Sequence, residues 1–105
     1  MNVNFRFQTN SKTLDNKAIA DIPRVEKALA TNNIHDVFVL GFADNVGSWD
    51  ANLKLSIERA QVVADKLTPY GIHVDVSGFS YDMPVADNAT LLGKDKNRRV
   101  EIWVR

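Results

Sequence analysis

Cysteine is absent from this chain of 105 residues, which excludes disulfide frameworks, thiolate zinc sites and cysteine nucleophiles but leaves the redox compartment open. An excess of charge is absent as well, because thirteen basic side chains balance thirteen acidic ones. Without a net positive field to draw it onto a phosphate backbone, the chain is expected to have no nucleic-acid partner. No apolar run approaches the roughly twenty residues that a membrane-spanning helix needs, so no span is predicted.

The composition that is present is typical of one folded domain. Hydrophobic residues make up 45% of the chain and charged residues 25%, and a chain of this length supports one hydrophobic core. A strand-like pattern begins almost at once, at Val3, with no signal-peptide pattern before it. We therefore expect residues 1–105 to form a single domain, excised from a larger protein whose targeting segment lies upstream.

Hydrophobic periodicity predicts the elements of the first half of the chain. Alternation over residues 2–8 predicts a strand with one buried face. Apolar residues at helical spacing predict a helix over 14–30, which Pro23 either kinks or delays. Residues 37–40 are apolar on both faces, as in a strand inside a sheet. A second helix is predicted over about 50–67.

The second half completes a fold prediction. Alternation predicts a third strand over 72–76 and a fourth over 99–104, joined by a long loop, residues 80–97, that could hold a short helix over 90–96. This order predicts an α+β two-layer sandwich, a four-stranded mixed sheet with both main helices on one face. Trp103 should lie on the other face, where it either packs against neighbouring strands or anchors a partner.

The loop after the second strand and the helix that follows it carry the polar residues most typical of a binding site. Asp44 lies in a glycine-flanked loop, and Asn52 and Arg59, seven residues apart, share one stripe of the helix. The core-facing stripe of the same helix is expected to contain Leu53, Ile57, Ala60, Ala64 and Leu67. An aspartate accepts from an ammonium and an arginine grips a carboxylate, so Asp44 and Arg59 suit a zwitterionic amino-acid group met at the surface. The structural alternative is an Asp44–Arg59 salt bridge, with Ser48 or Asp50 capping the helix.

Other kinds of site fit the sequence less well. The loop at Asp44 places Val46 where an EF-hand needs an oxygen ligand, so calcium is not predicted. His35 and His73 are isolated from each other in sequence and are expected to be surface residues rather than metal ligands. The glycine-flanked loop lacks the Gly-Lys-Ser/Thr ending of a phosphate-binding loop, and Ser56 has no histidine placed to activate it. No metal, cofactor or catalytic residue is predicted.

Eleven positions resemble a family pattern. The spacing G-x-[TA]-D-x-x-G-x-x-x-x-N-x-x-L-S-x-x-R-A-x-x-V-x-x-x-L is typical of the OmpA-like family, and it is met by Gly41, Ala43, Asp44, Gly47, Asn52, Leu55, Ser56, Arg59, Ala60, Val63 and Leu67. Downstream, residues 78–88 resemble the family's G-x-G-x-x-x-P-x-x-x-N loop, and residues 97–101 its N-R-R-V-E run. The likeness covers nearly the whole chain.

The resemblance implies a function. OmpA-like domains bind peptidoglycan without covalent chemistry, through the diaminopimelate of the stem peptide, and so anchor envelope proteins to the cell wall in the bacterial periplasm, often at the outer membrane. Asp44 and Arg59 match the ligand-gripping pair, Asn52 matches a supporting residue, and Arg98 lies where the family has an arginine near the pocket. The resemblance thus implies a binding domain and not an enzyme. The alternative is a degenerate domain of the same fold, kept as a protein–protein or oligomerisation module.

Three departures from the family pattern bear on the ligand. Phe42 replaces a common histidine, Ala43 replaces a threonine, and Gln8 stands where many relatives have an acidic residue. We expect these changes to reshape the pocket wall and to alter affinity or preference without removing the site.

Overall fold

The structure, a computed structural model, describes residues 2–8, 11–82 and 88–104. Its elements are β1 (Asn2–Arg6), α1 (Asn16–Thr31), β2 (Asp36–Gly41), α2 (Trp49–Leu67), a 3₁₀ turn (Thr68–Tyr70), β3 (His73–Gly78), α3 (Leu91–Asn97) and β4 (Arg99–Val104). The predicted order of strands and helices is confirmed, and α3 is the short helix expected in the long loop.

The four strands form one mixed sheet in the order β1-β4-β2-β3. Strands β2 and β3 are parallel, whereas β4 runs antiparallel to both of its neighbours. The prediction that the second strand lies inside the sheet is confirmed, since β2 pairs on both sides. Its Val37 and Val39 are fully buried against the helices, while Phe38 and Leu40 on the other face are partly exposed.

The core lies between one face of the sheet and the two long helices, as the two-layer sandwich requires. Alternate residues of the strands supply the sheet side, which consists of Phe5, Val37, Val39, Val100 and Ile102. The helices supply Ala18, Ile22, Val25, Leu29, Ala60, Val63 and Leu67. Trp103 lies on the opposite face, as predicted, and its side chain is 43% exposed.

Helix α1 begins at Asn16, so Pro23 does not delay its start. The side chain of Asp15 caps the helix by accepting from the backbone N–H of Ala18 at 2.7 Å. Pro23 lies inside the helix on its exposed side, where solvent can satisfy the carbonyl that the missing N–H leaves without its helical partner.

Two glycines bring the first half of α2 onto the sheet. Gly41 and Gly78 are paired at the ends of β2 and β3. A Cβ on Gly41 would lie 1.8 Å from the carbonyl oxygen of Ser56, and a Cβ on Gly78 would lie 2.5 Å from Cγ1 of Ile57. Helix backbone therefore occupies the space that side chains of the strands would otherwise fill.

The buried face of α2 differs from the predicted core stripe. Ile57 is 42% exposed, so its assignment to the core is wrong. The inward side of this part of the helix is taken by polar residues, namely Asn52, Ser56 and Arg59, all at most 5% exposed. These residues lie over the ends of the strands and the loops that follow, where backbone groups supply their hydrogen-bond partners.

Candidate functional site

The predicted site residues meet at one end of the sheet. Asp44 follows β2, and Arg98 immediately precedes β4. Because β4 runs antiparallel to β1 and β2, its first residue lies beside the last residues of those strands. Helix α2 starts at the same end and carries Asn52 and Arg59. The topology thus gathers all four residues.

Asp44 forms its ion pair with Arg98. One carboxylate oxygen, Oδ2, accepts from Nη1 of Arg98 at 2.7 Å, and the other, Oδ1, accepts from the backbone N–H of Val46 at 3.0 Å. Arg98 is oriented by a second bond, from its Nε to the carbonyl of Phe7 at 2.9 Å. The structural alternative of an Asp44–Arg59 salt bridge is therefore wrong, because Arg98 occupies that place.

Arg59 is held by the backbone. Its Nε donates to the carbonyl of Ser11 at 2.8 Å, its Nη2 to that of Gln8 at 2.9 Å and its Nη1 to that of Phe42 at 3.3 Å. The guanidinium also lies 5.3 Å from the centroid of the Phe7 ring, within cation–π range.

The depth of the two charged residues differs from the sequence-based expectation. Arg59 is 1% exposed and Asp44 4%, so the prediction that both meet a ligand from the surface is wrong. For Arg59 the cause is the direction of its side chain, which runs inward to the carbonyls of Gln8, Ser11 and Phe42.

The electrostatics of this group favour an anion. Burial lowers the pKa of Arg59 from its ordinary value to about 10; the Asp44 carboxylate opposes that shift and the Arg98 guanidinium adds to it. A pKa near 10 leaves Arg59 protonated at neutral pH. The cluster of Asp44, Arg59 and Arg98 thus carries one net positive charge, because the single carboxylate is paired with Arg98 while Arg59 is held by neutral carbonyls. Such a cluster can bind a carboxylate through charge-assisted bonds.

Asn52 shapes the loop between Asp44 and α2. Its Nδ2 donates to the carbonyl of Val46 at 2.7 Å and to that of Ser48 at 2.9 Å. Ser48 is the residue that caps the helix, with its Oγ accepting from the N–H of Ala51 at 3.1 Å. Gly47 adopts a φ of +89°, which a side chain would strain. Asn52 is thus placed to hold the loop that presents Asp44.

Phe42 and Gln8, two of the departures from the family pattern, contact Arg59 through their backbone and not through their side chains. The ring of Phe42 points to the face of the sheet away from α2, where it stacks on Phe79 at 5.3 Å and lies 3.7 Å beneath the guanidinium of Arg99. Phe42 therefore reaches Arg59 only through its carbonyl, and an effect of this departure on ligand preference stays a prediction. Gln8 likewise contributes its carbonyl.

Residues that sequence reasoning missed tie the loop after β3 to α2. The N–H of Ser80 donates to Oγ of Ser56 at 3.1 Å, and Oγ of Ser80 donates to the carbonyl of Trp49 at 2.7 Å. The indole Nε1 of Trp49 donates to Oδ1 of Asp82 at 3.2 Å. Single serines in a loop carry no pattern that names such partners. The carbonyls that accept from Arg59 could not be predicted from the sequence either, because every residue has a backbone carbonyl.

Two other features bear on possible chemistry. His35 and His73 are both exposed, so the prediction that they are surface residues is confirmed. Although they are far apart in sequence they are adjacent in space, since the N–H of His73 donates to the carbonyl of His35 at 2.7 Å. The described ranges contain no group of three or more potential metal-ligating side chains, and no helix among them is long and apolar enough to cross a membrane. A cavity of about 550 Å³ lies between β1 and the start of α1, lined in part by Arg6, Gln8 and Asp21, and it does not include Asp44 or Arg59.

Comparison with known proteins identifies the family. A sequence model of the OmpA family matches residues 6–98. The chain belongs to the OmpA family. Its residues 44, 52, 59 and 98 all lie within the matched span, as does the whole of the site just described.

Several characterised proteins are similar to this OmpA-family domain. It is 45% identical over 71 residues to the peptidoglycan-binding protein ArfA of Mycobacterium tuberculosis, covering 65% of this chain and 22% of that protein. It is 35% identical over 101 residues to the outer-membrane lipoprotein YfiB of Pseudomonas aeruginosa, covering 93% of this chain and 60% of YfiB. The chain therefore spans between about a fifth and three fifths of the length of these relatives.

Solved structures share the fold. The cell wall anchor of the T6SS from Pseudomonas aeruginosa is 33% identical, with a TM-score of 0.81 over 98% of this chain and 79% of that one. The C-terminal domain of Helicobacter pylori MotB is 27% identical, with a TM-score of 0.86 over 98% of this chain and 84% of that one. The peptidoglycan-associated lipoprotein from Burkholderia pseudomallei has a TM-score of 0.87 over 97% of this chain and 89% of that one, at 21% identity, which supports the fold alone.

Proposed function

We propose that this domain binds peptidoglycan without covalent chemistry, through the diaminopimelate of the stem peptide, and anchors an envelope protein to the cell wall. The observation that carries the proposal is the cluster of two arginines and one aspartate, in which Asp44 and Arg59 are buried and Arg98 is partly exposed. It offers an acceptor for an ammonium and an excess positive charge for a carboxylate, and the distal carbon of diaminopimelate bears both groups.

Each residue has a distinct role in this proposal. Asp44 accepts from the ligand ammonium, sharing its oxygens with Arg98. Arg59 donates to the ligand carboxylate, since three of its N–H groups are used by backbone carbonyls and a guanidinium has five. Asn52 keeps the loop of Asp44 in place. Arg59 is 1% exposed, so the ligand reaches it only when Arg98 or the backbone at Gln8 moves aside. Binding therefore includes a local rearrangement.

The relatives support the peptidoglycan partner and the location. ArfA is named for peptidoglycan binding, one structural neighbour is named as a cell wall anchor, and YfiB is named as an outer-membrane lipoprotein. We extend these properties to this domain, which we place in the bacterial periplasm as one part of a longer envelope protein.

Sedimentation with purified diaminopimelate-type peptidoglycan tests the proposal. Wild type should pellet with the sacculi, and Asp44→Asn, which keeps the size of the side chain, should remain in the supernatant. Asp36→Asn is the matched control, because Asp36 is an exposed carboxylate at the opposite end of β2. Equal pelleting of Asp44→Asn and wild type, with matched circular dichroism, contradicts the proposed site.

We also propose that the domain does not cleave its ligand. The hydroxyl of Ser56 is buried and engaged with the carbonyl of Leu53 and the N–H of Ser80, so it is not presented to a substrate as a nucleophile. Incubation with peptidoglycan should release no soluble muropeptides. Chromatographic products that appear with wild type and disappear with Asp44→Asn would show catalysis.

A protein–protein module is the second candidate function. It is favoured by the exposed apolar side chains at the start of α3, with Leu91 86% and Leu92 65% exposed. A concentration-dependent shift to a dimer in analytical ultracentrifugation, together with failure to pellet with sacculi, would favour this module over a wall anchor.

A further inference from the structure

We infer that Trp49 is a glycan-stacking residue, which packs its indole face against a sugar ring of the peptidoglycan strand while the charged cluster holds the stem peptide. This inference rests on the proposed function and adds a second contact of different chemistry. It concerns a residue outside the family pattern described above.

The position of Trp49 places it beside the charged cluster. Ser80 bonds to the backbone at both ends of the loop between Asp44 and Trp49. Its carbonyl accepts from the N–H of Ala43, the neighbour of Asp44, at 2.7 Å, and its Oγ donates to the carbonyl of Trp49 at 2.7 Å. The loop of residues 44–48 therefore starts and ends beside the same serine, which brings Trp49 close to Asp44.

The orientation of the indole is fixed. Its N–H donates to Asp82 at 3.2 Å, and its own backbone carbonyl accepts from Ser80 at 2.7 Å. The side chain nevertheless remains 38% exposed. An aromatic ring that is held in place and left partly uncovered loses little conformational entropy when a ligand packs on it.

The chemistry of the ligand matches such a surface. A pyranose ring presents a face of C–H groups, which is apolar and packs on an aromatic ring. Diaminopimelate is joined to the sugar through two stem-peptide residues, and an extended peptide of that length spans on the order of 7–10 Å. The glycan can therefore reach the neighbourhood of Trp49 while diaminopimelate stays bound at the cluster of Asp44, Arg59 and Arg98.

Exposed apolar neighbours continue the surface. Val46 is 44% exposed and lies within the same loop, two residues after Asp44.

Trp103, the second tryptophan, is 43% exposed and has its indole N–H bound, at 2.8 Å, to Glu101. Because Trp103 lies on the other face of the sheet, it is a matched control in residue type, exposure and hydrogen bonding.

The experiment compares two ligands across three variants. Affinity for intact diaminopimelate-type sacculi is measured by sedimentation, and affinity for free diaminopimelate by NMR titration, for wild type, Trp49→Ala, Trp49→Phe and Trp103→Ala. We expect Trp49→Ala to weaken sacculus binding about tenfold, the size of one aromatic contact, with diaminopimelate affinity unchanged. Trp49→Phe, which keeps a ring, should retain most of the sacculus affinity, and Trp103→Ala should match wild type for both ligands.

The outcomes separate this inference from the proposed function. Equal sacculus binding by Trp49→Ala and wild type overturns the inference, and so does a parallel loss of free diaminopimelate binding, which would show that Trp49 acts only by holding the loop. Asp82→Ala provides the converse check, because it releases the indole N–H and leaves the ring. If wild type binds neither ligand, the proposed function itself has failed.

Discussion

Arg59 combines a structural role with its proposed binding role. Its guanidinium joins two backbone segments through three carbonyls, those of Gln8 and Ser11 after β1 and that of Phe42 after β2. Removing it would leave those carbonyls without their donor in a site that water reaches poorly. We expect Arg59→Ala to lower the free energy of unfolding by about 3–5 kcal/mol, a large part of the 5–15 kcal/mol typical of a domain.

Asp44→Asn should behave differently, since an amide keeps the acceptor oxygen for the N–H of Val46. We expect a loss of about 1–3 kcal/mol in stability and at least a tenfold loss of diaminopimelate affinity. Urea unfolding followed by circular dichroism, with NMR titration of the ligand, measures both effects. A stability loss for Asp44→Asn as large as that for Arg59→Ala would contradict this division of roles.

The pKa of Arg59 determines how its contribution to the stability of the domain depends on pH. Burial lowers that pKa to about 10, so the guanidinium stays charged throughout the physiological range. As pH rises, the folded protein releases this proton before the unfolded chain does. The contribution of Arg59 to stability therefore increases as pH rises from about 10 towards the ordinary pKa of arginine, and it is constant below that window.

The same pKa gives a prediction for ligand binding. The Nε–H signal of Arg59 should persist in NMR spectra between pH 6 and 8, because this group is protonated and bonded to Ser11. Over that range the free energy that Arg59 contributes to diaminopimelate binding should not change, as judged by comparing wild type with Arg59→Lys. A difference between the two proteins that varies by more than about twofold in affinity from pH 6 to 8 would show that Arg59 titrates there.

At the scale of elements, the contact between α2 and the ends of β2 and β3 positions the site. Gly41→Ala would place a methyl group 1.8 Å from the backbone oxygen of Ser56, which no rotation of a side chain can relieve. We expect a loss of about 3 kcal/mol or more in stability and a weakened site, because α2 carries Asn52 and Arg59.

Gly71→Ala is the control for the loss of a glycine alone. A Cβ there meets no atom within 4 Å, although the φ of +80° adds strain, so we expect a cost of about 1 kcal/mol. Thermal unfolding of the two variants provides the comparison. Similar melting temperatures would show that α2 does not need this close approach.

Periodicity explains why the elements could be predicted and where prediction failed. Strand β2 is apolar on both faces, and this alone indicated its central place. The stripe of α2 was misassigned at Ile57, because periodicity assumes that inward residues are apolar. Here Ser56 and Arg59 point inward, and their partners are loop carbonyls and N–H groups that leave no trace in sequence.

At the scale of the whole molecule, the site depends on the order of the strands. Asp44 and Arg98 are 54 residues apart and meet only because β4 lies between β1 and β2. The family pattern named both residues, but hydrophobic pattern alone could not pair them. The same topology puts Gln8 and Ser11 over α2, which is why Arg59 is buried and why a salt bridge with Asp44 was the wrong alternative.

The net charge of the assembled cluster leads to a prediction about ligand preference. Diaminopimelate ends in an ammonium and a carboxylate, whereas lysine at the same stem position ends in an amine alone. With lysine, Asp44 would still have a cation to accept from, but the excess positive charge of Arg59 and Arg98 would meet no anion. Loss of one charge-assisted contact should cost on the order of 1.5–3 kcal/mol, or roughly tenfold to a hundredfold in affinity.

Lysine-type walls should therefore bind more weakly than diaminopimelate-type walls. The ring of Phe42 points away from Arg59, so this departure from the family leaves the preference in place. Titration with Nα-acetylated lysine and with singly Nα-acetylated diaminopimelate, followed through the amide signals of Asp44 and Val46, isolates the distal end of each ligand. Equal affinity for the two would exclude a carboxylate contact and with it the proposed role of Arg59, whereas a preference that disappears in Arg59→Lys but survives in Trp103→Ala would assign the discrimination to that guanidinium.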